Sequence, residues 1–142
     1  MAEGAQGTFR LEVVTPQRVL LSADVTELVA PGSEGYFGVL PGHAPFITTL
    51  QAGELTYRTG KEERHLVVTW GYAEVRGDHV RILAKAAEGA EEIDVDRADR
   101  ARQRAETRLQ NWINGDETVD YTRALTALQR ALARLGVARK GE

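Results

Sequence analysis

Glu88-Gly89-Ala90-Glu91-Glu92-Ile93-Asp94-Val95-Asp96-Arg97-Ala98 is the stretch at which the chemistry of this 142-residue chain changes. Ahead of it lie all four prolines (Pro16, Pro31, Pro41 and Pro45), ten of the 14 glycines and seven of the nine aromatic residues. Beyond it, from Ala90 to Leu135, Gly115 is the one glycine and proline is absent. Alanine, arginine, leucine and glutamine dominate there, all good helix formers. Charge divides at the same place. Residues 1–88 carry 8 basic and 11 acidic side chains, whereas residues 97–140 carry 10 basic and 5 acidic ones. The formal net charge of -3 therefore hides a basic segment behind an acidic remainder. Two domains are expected, residues 1–88 and residues 89–142.

The first half reads as β. Phe9, Leu11 and Val13 alternate with Arg10, Glu12 and Val14, the period of a strand with one buried face. Leu55 and Tyr57 repeat the pattern, and Gly60-Lys61-Glu62-Glu63 reads as a hairpin loop into His65–Trp70. Gly77-Asp78 is a turn signal between Ala73–Val75 and Val80–Leu83. Short strands with closely spaced turns predict a small sandwich or barrel. The second half reads as an antiparallel pair of helices. Asp94 is placed to cap the first, whose apolar stripe is Ala98, Ala101, Ala105, Leu109 and Trp112. Asn114-Gly115-Asp116 breaks the helix, and Asp116, Thr118 or Asp120 is placed to cap the next. Leu125, Leu128, Leu132 and Leu135, with Ala124, Ala127 and Ala131, form its stripe, and Gly136 suits its end. An alanine seam buries little apolar area, so this hairpin is expected to hold together weakly. The fold class is thus an all-β sandwich followed by an α-helical antiparallel hairpin.

Composition narrows the function. Hydrophobic residues at 42% and charged residues at 27% describe a globular protein. No apolar run reaches the roughly 20 residues of a membrane-spanning helix, so direct membrane insertion is not expected. The first residues show neither the basic start nor the apolar stretch of a signal peptide. Cysteine is absent, which removes disulfides, thiolate metal sites and cysteine nucleophiles. No phosphate-binding Gly-Lys-Ser/Thr loop, serine elbow or His-x-x-x-His pair is present, so neither catalytic residues nor a metal site is expected. His65 and His79 read as exposed strand-end residues. Nucleic acid is not an expected partner, because Trp112 and Tyr121 are the only aromatics in the basic half.

Two features stand out. Arg97, Arg100, Arg104 and Arg108 share one helical face, and Arg123, Arg130 and Arg134 share another. Folding the hairpin brings the two rows together, so they are either solvated faces or a site for a polyanion or acidic partner. The second feature is Pro31-Gly32-Ser33-Glu34-Gly35-Tyr36-Phe37-Gly38-Val39-Leu40-Pro41-Gly42-His43-Ala44-Pro45-Phe46. Its prolines fix a shaped loop that presents Glu34, Tyr36, Phe37 and His43, with Phe46 read as a core plug.

Leu11-Glu12-Val13-Val14-Thr15-Pro16, Gly38-Val39-Leu40-Pro41-Gly42-His43-Ala44-Pro45, Trp70-Gly71-Tyr72-Ala73-Glu74-Val75 and Ile93-Asp94-Val95-Asp96-Arg97-Ala98 together resemble the epsilon subunits of bacterial F-type ATP synthases. The resemblance implies a non-catalytic subunit of the central rotor stalk, bound to gamma and seated on the membrane c-ring. It implies a c-ring contact through Glu34, Tyr36 and His43, although tyrosine stands where many members carry a carboxylate or small polar residue. It further implies a regulatory hairpin that is closed on the sandwich or extended along gamma. When extended it reaches the alpha/beta catalytic hexamer and stops ATP hydrolysis. An Ile/Leu-Asp-x-x-Arg-Ala motif accompanies ATP binding in some members. ATP is accordingly expected here as a regulatory ligand rather than an obligatory cofactor. Its expected residues are Ile93, Asp94, Arg97 and Ala98 of that motif, with Asp94 and the nearby backbone reading adenine, Arg97, Arg104, Arg130 and Arg134 on the phosphates, and Glu88 at the sugar or adenine. The implied location is peripheral, on the cytoplasmic face of the bacterial inner membrane. A free-standing nucleotide sensor and an autonomous enzyme are the other readings of the chain.

Overall fold

The computed structural model describes residues 7–141. Eight strands come first: β1 (Phe9–Val14), β2 (Val19–Val25), β3 (Glu27–Gly32), β4 (Gly35–Val39), β5 (Phe46–Leu50), β6 (Gly53–Thr59), β7 (Glu62–Arg76) and β8 (His79–Gly89). A 3-10 turn, Ala90–Glu92, leads to helices α1 (Val95–Ile113) and α2 (Tyr121–Lys140). The strands hydrogen-bond in the order β2-β1-β8-β7-β5-β3-β4, with β6 joining β3 to β7. All these ladders are antiparallel except β1 with β8, where Arg10 to Val14 run alongside His79 to Leu83.

Two layers arise because β7 changes partner halfway. Its first half pairs with β6 from Glu62 to Val68, and its second half pairs with β5 from Gly71 to Val75. The change falls at Trp70 and Gly71, both with positive φ (48° and 133°). Only glycine fits the second position. A Cβ there would lie 1.8 Å from the Leu83 carbonyl oxygen of the neighbouring strand. Lys85 Nζ covers the Trp70 ring at 5.7 Å from its centre. Between the layers Leu11, Val13, Leu28, Leu55 and Ile82 are fully buried, in the alternation their strands require.

The hairpin follows its local signals. Asp94 Oδ1 accepts the Arg97 backbone N–H at 3.1 Å, and Asp120 Oδ1 accepts that of Arg123 at 3.0 Å. Asp116 instead binds Thr118 inside the connecting turn. Ala98, Ala105, Ala124 and Ala131 are buried along the hairpin. No helix of the described residues is long and apolar enough to cross a membrane.

Five local expectations change. Leu132, expected in the apolar stripe of α2, is 49% exposed and lies outside the seam. Gly136 does not end α2, which continues to Lys140 with Gly141 as its cap. The helix persists because the last two turns pack on the sandwich, where Val137 is wholly buried. Trp112 leaves the seam and stacks on Tyr121 at 4.6 Å between ring centres, 45% exposed. Phe46 is not a core plug: it is 38% exposed and meets Phe37 edge-on, and it is Phe37 that packs against the core. His65 is not an exposed strand end. It lies within β7 with its side chain 11% exposed, flanked by Glu54 and Glu63.

Candidate functional site

A cleft of about 370 Å³ opens along the hairpin where α1, α2 and the end of β8 meet. That volume falls within the roughly 300–1,000 Å³ typical of small-molecule sites. Alanines make the space: Ala98, Ala101 and Ala105 of α1 face Ala127 and Ala131 of α2, and their short side chains leave a trough. Longer residues wall it. Arg97, Arg104 and Arg108 come from α1, Arg130 and Arg134 from α2, Glu88 from β8, and Glu92 and Asp94 from the junction.

Five guanidinium groups thus meet three carboxylates. Among the described residues, Arg97, Arg104, Arg108 and Arg130 have no carboxylate within ion-pair distance. Arg134 is the exception: its Nε donates to Glu88 Oε1 at 2.6 Å, which leaves its terminal nitrogens unengaged by any described side chain. Asp99 and Glu106, the acidic neighbours on α1, are both taken by Arg102. The closed hairpin therefore gathers four arginines that no described carboxylate pairs, and an anion with several oxygens would relieve their mutual repulsion.

The three carboxylates already have work. Asp94 Oδ1 caps α1. Glu92 accepts the Gly89 N–H at 2.9 Å and receives Arg18 at 2.7 Å. The Gly89 N–H, more than Arg18, holds the Glu92 carboxyl below its ordinary value, against a smaller opposing effect of burial. Arg18 also donates to the Ala87 carbonyl at 3.2 Å, so one arginine of the β1–β2 turn fixes the start of the hairpin.

Of the residues expected from sequence, Glu88, Asp94, Arg97, Ala98, Arg104, Arg130 and Arg134 line this one cleft. Ile93 is half-buried in the junction and does not line it. Glu92 and Arg108 belong to it in addition. Arg108 was legible as part of the α1 row, whereas Glu92 gave no signal before its hydrogen bonds placed it. Arg100 does not line the cleft; it lies on the flanking surface of α1 with Gln103 and Thr107, which Arg104 and Arg108 also border. Arg123 sits near the hairpin tip beside Asp120 and Arg108.

Glu34, Tyr36 and His43 do not form a comparable cluster. Glu34 lies in the β3–β4 turn, and the Tyr36 hydroxyl accepts the Glu54 backbone N–H at 3.1 Å. His43 Nδ1 donates to the adjacent Ala44 carbonyl at 2.7 Å, with its ring edge-on to Phe46 at 6.2 Å. Exposed Leu40 and Phe46 flank this loop. A second apolar surface crosses β5, β7 and β8, where Ile47, Trp70, Tyr72 and Leu83 are exposed and Tyr72 pairs with Leu83 across the strands. Exposed apolar side chains grouped on one sheet face make this a candidate contact surface.

Comparison with known proteins agrees with this architecture. Residues 8–90 match the family described as ATP synthase, Delta/Epsilon chain, beta-sandwich domain, and residues 91–139 match the corresponding long alpha-helix domain. The chain belongs to the epsilon chains of the ATP synthase delta/epsilon family. It is 54% identical over 132 residues to the ATP synthase epsilon chain of Syntrophobacter fumaroxidans, covering 93% of this chain and 96% of that one. It is 48% identical over 133 residues to ATP synthase epsilon chain 2 of Syntrophotalea carbinolica, covering 94% and 95%. A chain in the OSCP/F1/c-ring structure of Euglena gracilis mitochondrial ATP synthase superposes with a TM-score of 0.77 at 26% identity. That match covers 94% of this chain and 82% of the other. Membership makes this a structural and regulatory subunit of an ATP synthase, not its catalytic one.

Proposed function

We propose that this chain is the central-stalk subunit that links gamma to the c-ring, and that its hairpin restrains ATP hydrolysis under the control of ATP held in the arginine cleft. The observation that carries the regulatory part is the gathering of Arg97, Arg104, Arg108 and Arg130, without partner carboxylates, around an alanine-lined trough. A nucleotide triphosphate fits that chemistry: the guanidinium groups take the phosphates, and the apolar floor takes the base. Ala98 lies on that floor, while Asp94 retains an oxygen beyond the one used in capping. Glu88 then acts on the ligand by orienting Arg134 rather than by reading sugar or base. Because the cleft exists only while α1 and α2 are together, ATP stabilises the closed hairpin by its difference in affinity between closed and open states.

For the stalk, the exposed row of Ile47, Trp70, Tyr72 and Leu83 supplies the flank for gamma. The loop bearing His43, with Glu34 and Tyr36 on the adjoining strand and turn, supplies the face for the c-ring. The extended hairpin contacts the alpha/beta hexamer through its basic rows. The chain then sits peripherally on the cytoplasmic face of the inner membrane. Removal of residues 90–142 is expected to raise ATP hydrolysis by the assembled complex while rotor assembly persists. Unchanged hydrolysis would end the inhibitory reading. Titration calorimetry of the isolated chain should show heat with ATP and markedly less with Arg104→Ala. Absence of heat at millimolar ATP would end the nucleotide reading.

A further inference from the structure

The closed hairpin meets the sandwich mainly through α2, which packs on β6, β7 and the 3-10 turn. Val137 is buried in that contact. At Gly136 even a Cβ would come within 3.5 Å of Glu54 Oε2. One turn further on, Lys140 Nζ donates to Glu54 Oε1 at 2.6 Å. That same oxygen lies 2.9 Å from His65 Nδ1, and the other ring nitrogen, Nε2, lies 3.3 Å from Glu63 Oε1. Thr56 Oγ1 is a second neighbour of Nδ1 at 3.0 Å. Glu54 is held at 18% exposure, so water screens this arrangement less than it would a surface pair.

We propose that Glu54, His65 and Lys140 form a proton-sensitive clasp that holds α2 on the sandwich and loosens on acidification. The proposal rests on the reading of the hairpin as a closing and opening element. Its physical basis is competition for one carboxylate oxygen. Glu54 and His65 both belong to the sandwich and stay together when the hairpin leaves, whereas Lys140 leaves with α2. The neutral ring already gives its Nδ1 hydrogen to Glu54, so the added proton enters at Nε2 beside Glu63, and the imidazolium charge then repels the ammonium group across the shared carboxylate. The open state consequently binds the proton more readily, and by linkage a fall in pH shifts the population towards it. The other charged or titratable groups around His65 are Glu63 and Arg64 on β7, Tyr57 on β6 and Glu91 of the 3-10 turn. Glu63, Arg64 and Tyr57 belong to sandwich strands and Glu91 to the junction, so among the described residues Lys140 is the charge facing His65 that α2 carries. Histidine changes charge between about pH 5 and about pH 8, a window in which ordinary carboxylates, lysines and arginines keep theirs. Among the described residues, the Glu88–Arg134 pair is the other ionic contact between α2 and the sandwich, and it contains no histidine.

The absence of native cysteine allows a direct measurement. A Val137→Cys substitution places one thiol in the docked contact. Its labelling rate, divided by that of a short peptide carrying the same cysteine at the same pH, reads the fraction undocked. Between about pH 8 and about pH 5.5 that fraction should rise at least about fourfold, the scale of two unit charges about 5 Å apart even at the dielectric of bulk water. Adding His65→Gln should leave closure at the upper pH intact and abolish the rise. Adding Lys140→Gln should raise the undocked fraction at the upper pH and flatten the dependence. A rise that survives His65→Gln, or no rise at all, overturns the clasp. Amide hydrogen exchange along α2 of the unsubstituted chain gives the same readout should cysteine at this position disturb docking. Labelling reports undocking in the isolated chain, and hydrolysis by the assembled complex reports inhibition, so the clasp and the switch can fail separately.

Discussion

The sandwich and the hairpin are built from the same alphabet but buried in different currencies. Eleven of the twelve largest fully buried side chains belong to the sandwich, among them Leu11, Leu28, Leu55 and Ile82. The hairpin contributes Val137 alone, and that residue packs on the sandwich rather than in the seam between the helices. Alanine in the seam brings the helices close without supplying much apolar area. The difference supports the proposed division of roles, with the sandwich as the seat and the hairpin as the element that opens and closes. The trough that gathers the arginines is a by-product of the same small side chains.

The sharpest way to break the comparison is to attack the sandwich at its bend. Gly71→Ala forces a methyl group into the Leu83 carbonyl oxygen, and it should destabilise the chain by more than about 3 kcal/mol in a denaturant titration. Ile82→Ala should follow, at about 2–5 kcal/mol, because it empties a site with no solvent access. Both should melt the whole protein. Changes in the hairpin should be smaller and confined to it. Asp94→Ala or Asp120→Ala removes a cap and is expected to lower helix stability by about 0.5–2 kcal/mol, read as faster amide exchange in the affected helix with the sandwich unchanged. If a cap mutant melts both domains together, the two are one cooperative unit and the contrast fails.

The smallest effect concerns the junction. The native Glu92 carboxyl is held below its ordinary value, so its contribution is present above the unfolded carboxylate range and lost as pH falls through the native value. Solvent screening should keep this below about 1 kcal/mol. Thermal melts of Glu92→Gln and the parent chain should therefore converge on acidification and separate slightly near neutrality.

The β-strand alternation of Phe9 to Val13, the turns at Gly60-Lys61 and Gly77-Asp78, and the cap at Asp94 were all legible in the sequence. Each depends on neighbours within a few residues, which local periodicity records. Phe46, Trp112, Gly136 and His65 were misread for the opposite reason. Their surroundings come from other strands or the other helix, and no local pattern encodes whether a ring is covered or a helix is held past a glycine. The arginine rows show the boundary between the two kinds of information. Spacing put Arg97, Arg100, Arg104 and Arg108 on one side of α1, but it did not show that Arg100 alone of that row would fall outside the cleft, on a flanking surface it shares with Arg104 and Arg108.

The sequence by itself determined the order of elements, the division near Glu88 and the excess of positive charge beyond it, because propensity, turn chemistry and charge are properties of the chain. Tertiary structure alone decided that Arg134 would be oriented by Glu88, that Arg18 would hold Glu92, and that Lys140 would share an oxygen of Glu54 with His65. Those pairs join residues 46, 74, 86 and 11 positions apart. Charges that far along a chain meet only when the fold has already fixed the distance between them.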